Sequence, residues 1–255
     1  MFQKIGNIKI CIEKDYEAMS LRAADIFADC VAQNSNGAYG FATGSTPVGM
    51  YKALVEKYKN GKLDFSQITT FNLDEYYPIK GDHDQSYRYF MEQNLFNHVN
   101  LDKSKINLLN GQAEDTILEC KAYDHKIGIA GGITLQILGI GTNGHIGFNE
   151  PNDYFSGKTG IVDLTENTIN DNARFFESRA QVPCQALSMG IGSIMSAKEI
   201  LLLAAGANKS KIIADMLLGR VMPQVPASIL QFHQHVTVVL DTPAAEDIRL
   251  MLGYQ

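Results

Sequence analysis

No apolar run in this chain approaches the roughly 20 consecutive residues that a membrane-spanning helix needs, so no membrane partner is expected. The first dozen residues also lack a long apolar core. They alternate apolar and polar side chains from Ile8 onwards, which reads as a first strand and not as a secretion signal. Basic residues are in the minority, 22 Lys and Arg against 28 Asp and Glu, for a formal net charge of -6. Phosphate backbones attract Lys/Arg-rich faces, so no nucleic-acid partner is expected. A small anionic ligand needs only two or three local donors and stays open. Cysteine is scarce: Cys11, Cys30, Cys120 and Cys184 are scattered and form no CxxC. They read as reduced thiols of a cytoplasmic protein, not as a disulfide framework or a zinc site. His233 and His235 have ligand-like spacing if they lie on a strand. Zinc takes three or four ligands, and with no local partner they read as structural histidines.

What is present is ordinary for a folded protein: 255 residues, 45% hydrophobic and 20% charged. The length suits one sizeable core, and a single domain over 1–255 is expected. Strand-like and helix-like stretches alternate. Strands are predicted at 8–12, 38–42, 68–73, 133–140, 200–204 and 236–240. Helices are predicted at 15–33, 85–98, 114–126, 186–197 and 209–218, with others opened by Pro47 (Thr46 as its N-cap) and by Pro243. This alternation implies an α/β fold with a mostly parallel central sheet, which binds ligands beyond the C-terminal ends of its strands. Residues 151–185 are the least periodic and are rich in Gly, Asn, Asp, Thr and Ser. They suit either a lid over a site or a surface excursion.

Four places carry candidate chemistry. Thr43, Gly44, Ser45, Thr46 and Pro47 lie between a predicted strand and helix. Free N–H groups at a helix start, with three hydroxyls, make a compact anion site; a plain helix cap reads as well. The GxxxxGK[ST] of a P-loop is absent. Asp74 and Glu75 end a predicted strand, as a desolvated base or as a solvated turn. From Gly139 to Gly144 the chain matches GxGxxG, but it continues into His145, Gly147, Asn149, Glu150 and Pro151 without helical period, which rules out a dinucleotide fingerprint. It instead presents His145, a residue type suited to acid–base work, with Glu150 close by to orient it. Arg174, before Phe175 and Phe176, and Lys209, after the Gly206 turn, are separated cations fit for a phosphate.

Together these segments resemble the signature blocks of glucosamine-6-phosphate deaminases: Thr43 to Pro47, Phe71 to Tyr76, and Gly144 to Pro151, with Arg174 and Asn208–Lys209 in the same order. The resemblance covers nearly the whole chain. It implies a Rossmann-like three-layer sandwich of the sugar-phosphate isomerase type. The implied reaction converts glucosamine 6-phosphate to fructose 6-phosphate and ammonia, with no metal or organic cofactor. By the same resemblance, His145 opens the sugar ring with Glu150 behind it, and Asp74 carries a proton between C2 and C1. Thr43, Gly44, Ser45, Thr46, Arg174 and Lys209 hold the phosphate. Some relatives carry an aspartate where this chain has Asn143, which leaves Glu150 more of the electrostatic work. Effector-activated relatives carry basic residues at positions matching 159–164, where this chain has Gly160 and Val162; no such activation is expected. A monomer or small homo-oligomer is expected. The rivals are a 6-phosphogluconolactonase, a galactosamine-6-phosphate deaminase and a non-catalytic sugar-phosphate sensor.

Overall fold

The chain opens on a hairpin whose second strand also joins the main sheet. In the computed structural model, which describes residues 3–251, β1 (Gln3–Ile5) and β2 (Ile8–Glu13) form an antiparallel hairpin. Asp15 then accepts the Ala18 N–H at 2.8 Å and starts α1 (Tyr16–Gln33), which buries Met19, Ala23, Phe27 and Cys30 along one helical face. β3 (Ala38–Phe41), α2 (Val48–Lys59), β4 (Thr69–Asn72), β5 (Asp74–Tyr77) and α3 (Tyr87–Asn94) follow. Next come β6 (Ile106–Asn107), α4 (Thr116–Ile129), β7 (Leu135–Leu138), β8 (Gly160–Asp163) and α5 (Glu166–Asn172). The chain continues through β9 (Gln185–Ser188), α6 (Ile191–Met195), β10 (Glu199–Ala204), α7 (Ser210–Leu218), β11 (Val236–Asp241) and α8 (Glu246–Met251).

Eight strands form the main sheet in the order β1-β2-β11-β10-β7-β3-β4-β6, parallel everywhere except at the β1–β2 hairpin. The chain passes from β3 through α2 outward to β4, and from β7 the other way to β10, with helices in the connections between parallel strands. This gives the three-layer α/β arrangement. It also makes the gap between the C-terminal ends of β3 and β7 the topological switch point, where the connecting loops diverge and leave a crevice. β5, β9 and β8 form a second, antiparallel sheet above that edge. The main core includes the aromatic group Phe27, Tyr39, Phe41 and Phe65. A separate cluster of Tyr76, Ile79, Phe148, Leu164, Ile169, Val182 and Ala186 involves β5, α5 and β9.

Two local expectations are corrected. Thr46 does not cap α2: Pro47 occupies the cap position and makes no side-chain cap bond. The Tyr16 hydroxyl, reaching across from α1, accepts the Gly49 N–H at 2.8 Å and lies 3.1 Å from the Ser45 and Thr46 carbonyl oxygens. The helix expected at 186–197 is divided, because Gln185 to Ser188 pairs on both sides with β5 and β8, and sheet pairing overrides the helix propensity of Ala and Leu. The weakly periodic stretch 151–185 holds β8, α5 and two short 3-10 turns, all too short to declare a period. His233 is buried off any strand, its Nε2 2.9 Å from the Ala197 carbonyl and its Nδ1 accepting the His235 N–H at 3.1 Å.

Candidate active site

A cavity of about 210 Å³ opens at the switch point, floored by the loops after β3 and β7 and walled by Asp74, His145, Arg174 and Lys209. A wider groove of about 1030 Å³ lies between α1 and α2, but none of Asp74, His145 or Glu150 lines it. The smaller cavity is therefore where the titratable groups converge.

Thr43, Gly44, Ser45 and Thr46 all line this cavity, at the start of α2. Gly44 sits at φ +96°, in the left-handed region, and turns the backbone between β3 and α2. Lys209 reaches the cavity from the turn after β10. Its Nζ donates to the Ile140 carbonyl at 2.7 Å, which holds the ammonium at the β7 loop. The buried Asp241 carboxylate accepts the Gly206 N–H at 3.0 Å through both oxygens and fixes the turn that carries Lys209. Arg174 joins from the 3-10 turn after α5. The neighbouring Phe175 side chain lies outside the described residues, while Phe176 packs edge-on against Tyr76 at 5.8 Å.

Asp74 and Glu75 are not a solvated turn. They begin β5 and are 5% and 2% exposed. Burial, assisted by the Glu75 charge, raises the Asp74 carboxyl to about 8. Glu75 faces the start of α3: its Oε1 accepts the N–H groups of Tyr76 at 3.0 Å and Tyr87 at 2.8 Å, and its Oε2 that of Arg88 at 2.9 Å. Burial pushes Glu75 up to about 6, the three amides offsetting part of the effect.

The loop after β7 wraps around a histidine. A Cβ on Gly141 would stand 2.3–2.5 Å from the His145 ring atoms, so only glycine lets the imidazole lie flat on that backbone. The Gly141 N–H also bonds the His145 carbonyl at 2.9 Å. The same construction at Gly147 lands 3.5 Å from Asp74 Oδ2, which puts the loop backbone against that carboxyl. His145 Nδ1 lies 3.4 Å from Glu150 Oε2, an ion-pair distance longer than a good hydrogen bond. Asn143 Nδ2 donates to the same oxygen at 2.6 Å, and the Asn143 carbonyl oxygen accepts the His145 N–H at 3.2 Å. The Thr168 hydroxyl donates to the other oxygen, Oε1. Burial opposes ionisation of Glu150, but contacts with His145, Thr168 and Asn143 outweigh it and hold the carboxyl at about 2. Asn149 locks the loop, donating to the Ile146 and Met189 carbonyls at 2.8 Å each.

The fold thus brings Thr43, Gly44, Ser45, Thr46, Asp74, His145, Arg174 and Lys209 to one cavity, while Asn143 and Glu150 are not among its lining residues and pair behind the imidazole. Thr168 and Tyr87 also line it and were not foreseen. Thr165, three residues before Thr168, is a cap signal legible in sequence; nothing in the chain advertises Tyr87.

Residues 14–239 match the family described as glucosamine-6-phosphate isomerases/6-phosphogluconolactonase. The chain belongs to this family. Within the glucosamine-6-phosphate isomerase/6-phosphogluconolactonase family its similarity is to deaminases. It is 55% identical over 236 residues to a glucosamine-6-phosphate deaminase of Alkaliphilus oremlandii (strain OhILAs), covering 92% of this chain and 98% of that protein. A glucosamine-6-phosphate deaminase of Clostridium botulinum (strain Loch Maree / Type A3) is 51% identical over 243 residues, 95% of this chain and all of the relative. Among solved structures, a monomeric glucosamine-6-phosphate deaminase superposes with a TM-score of 0.91 at 40% identity, covering 93% of this chain and 99% of that one. A 6-phosphogluconolactonase from Trypanosoma cruzi reaches a TM-score of 0.74 at 17% identity, covering 94% and 96% of the two chains, a likeness of fold alone. Among the described residues no helix is long and apolar enough to cross a membrane.

Proposed function

We infer that this chain isomerises and deaminates glucosamine 6-phosphate, yielding fructose 6-phosphate and ammonia. The observation that carries the reading is the meeting, in one small cavity, of a buried carboxyl, a carboxylate-backed histidine and a hydroxyl-rich helix start. Asp74 Oδ2 lies against the Gly147 backbone, two residues from His145. The three signature blocks supply these groups from distant parts of the chain.

In this reading the phosphate sits on the Thr43, Gly44, Ser45 and Thr46 turn, with α2 amides beneath it and Arg174 and Lys209 as counter-charges. Holding the phosphate orients the reacting carbons and adds to the rate through position. His145 moves a proton between the ring oxygen and the anomeric hydroxyl. Glu150, ionised and steadied by Asn143, supports the imidazolium. Once the aldehyde is open, the proton on C2 is acidic. Asp74 takes it and returns it to C1, while O1 gains the proton that the amine nitrogen gives up, leaving a C2 imine that water hydrolyses to the ketone and ammonia. Each positioned proton transfer is worth about 10²–10⁴-fold in rate. The raised Asp74 carboxyl suits this shuttle, since a base near the working pH gives up its proton as readily as it takes one. Residues 151–185, which carry Thr168 and Arg174 into the cavity wall, act as its lid. Every group invoked comes from one chain, so the reading needs no second subunit.

The test is a coupled assay with glucosamine 6-phosphate supplied and chelator present, following both fructose 6-phosphate and ammonia. Stoichiometric release of both is expected. Absence of ammonia would overturn the reading, as would, in a parallel assay, hydrolysis of a 6-phosphogluconolactone by a protein inert to the amino sugar; equal turnover of separately supplied galactosamine 6-phosphate would correct its substrate.

A further inference from the structure

Glu150 has two carboxylate oxygens, and the protein addresses each from a different side. Oε2 takes the Asn143 amide at 2.6 Å and faces His145 Nδ1, both from its own loop. Oε1 takes a hydroxyl from another element, Thr168 of α5. Thr168 is 5% exposed and anchored in turn: its oxygen accepts the Thr165 hydroxyl at 3.2 Å, and its own N–H donates to Thr165 Oγ1 at 3.3 Å, the cap of α5. A hydroxyl has a single proton and an ionised carboxylate only accepts. The donors therefore run in one direction, from Thr165 to Thr168 to Glu150. α5 is a seven-residue helix too short to hold itself, seated by Leu164 and Ile169 in the smaller apolar cluster.

We propose that Thr168 is a positioning residue whose hydroxyl fixes the Glu150 carboxylate and, through it, the imidazole of His145, so that seating α5 beside the cavity and aligning the ring-opening histidine are one event. The proposal rests on the deaminase reading above. Valine has the shape of threonine, but it sets a methyl against Oε1 and leaves that oxygen without its donor. Serine restores the donor and omits only the methyl.

Steady-state kinetics on glucosamine 6-phosphate, with inorganic phosphate as a competitive probe of the phosphate turn, separates the possibilities. Thr168→Val is expected to lower kcat about 10- to 100-fold, the range for a hydrogen bond to a charged group. KM and the phosphate inhibition constant should move less than about threefold, and Thr168→Ser should keep kcat within about threefold of the parent. A Thr168→Val enzyme at parental kcat overturns the proposal. So does a Thr168→Ser enzyme as slow as the valine variant, which would make the methyl packing decisive. If Thr168→Val melts too low to assay, Thr168→Ala is read instead, with the same kcat loss at unchanged phosphate inhibition expected and parental kcat again fatal. A parent protein that releases no ammonia removes the deaminase reading itself, whereas an active parent indifferent to Thr168 removes only this proposal.

Discussion

At Asp74, burial changes what the side chain can do. Its carboxyl sits at about 8 where an exposed aspartate would sit near 4. A base must be ionised to act, so turnover is expected to rise with pH through about 8, measurable as the acidic limb of a kcat–pH profile. Asp74→Asn is expected to reduce kcat by at least about 10²-fold while phosphate inhibition persists. The stability consequence has the opposite sign. With its folded value raised, Asp74 binds its proton more tightly in the native than in the unfolded chain, so its contribution falls as pH climbs from about 4 to about 8. Asp74→Asn should therefore melt higher than the parent at pH 9, by at least about 2–4 °C, the worth of 1 kcal/mol in a chain of this size, and the gain should vanish near pH 4. An equal difference at both pH values in thermal melts would show that the carboxyl does not titrate as its burial dictates.

At the scale of elements, the Thr43–Thr46 turn is braced by a helix other than the one it leads into. Tyr16 on α1 satisfies the Gly49 N–H that no cap residue of α2 reaches. Tyr16→Phe is expected to raise KM for the sugar phosphate about three- to tenfold with kcat little changed, one neutral hydrogen bond being worth about 0.5–1.5 kcal/mol. A parental KM would remove that brace. The loop after β7 has the reverse sensitivity. Gly141→Ala drives a methyl into the His145 ring and should lower kcat about 10²-fold, since displacement of a reacting group by about 1 Å costs that much. A parental kcat would mean the imidazole is free to move aside. Much at this scale was legible in the sequence. Asp15 announced α1, and the apolar run before Gly139 announced β7, because caps and buried strands are written in adjacent residues. β9 was not legible: Gln185, Ala186, Leu187 and Ser188 carry no strand signature, and their conformation is fixed by β5 and β8 on either side.

At the scale of the whole molecule, the described residues form two apolar cores of unequal size, a large one around the main sheet and a small one involving β5, α5 and β9. Local opening is easier where fewer apolar contacts must be broken. Amide hydrogen exchange is thus expected to be faster in β8 and α5 than in β7, β10 and β11, and to slow in α5 when sugar phosphate binds. Uniform protection across both sheets would show that the two cores open as one. The sequence by itself determined the alternation of strands and helices, the parallel sheet it implies and the blocks that carry the chemical groups, because periodicity, caps and turn residues act over a few neighbours. Packing between distant elements is what buries Asp74 and Glu75, sets Tyr16 against the Thr43–Thr46 turn and brings Thr168 to Glu150. Desolvation and long-range hydrogen bonds are set by which distant elements are packed together, and no short window of a chain contains that information.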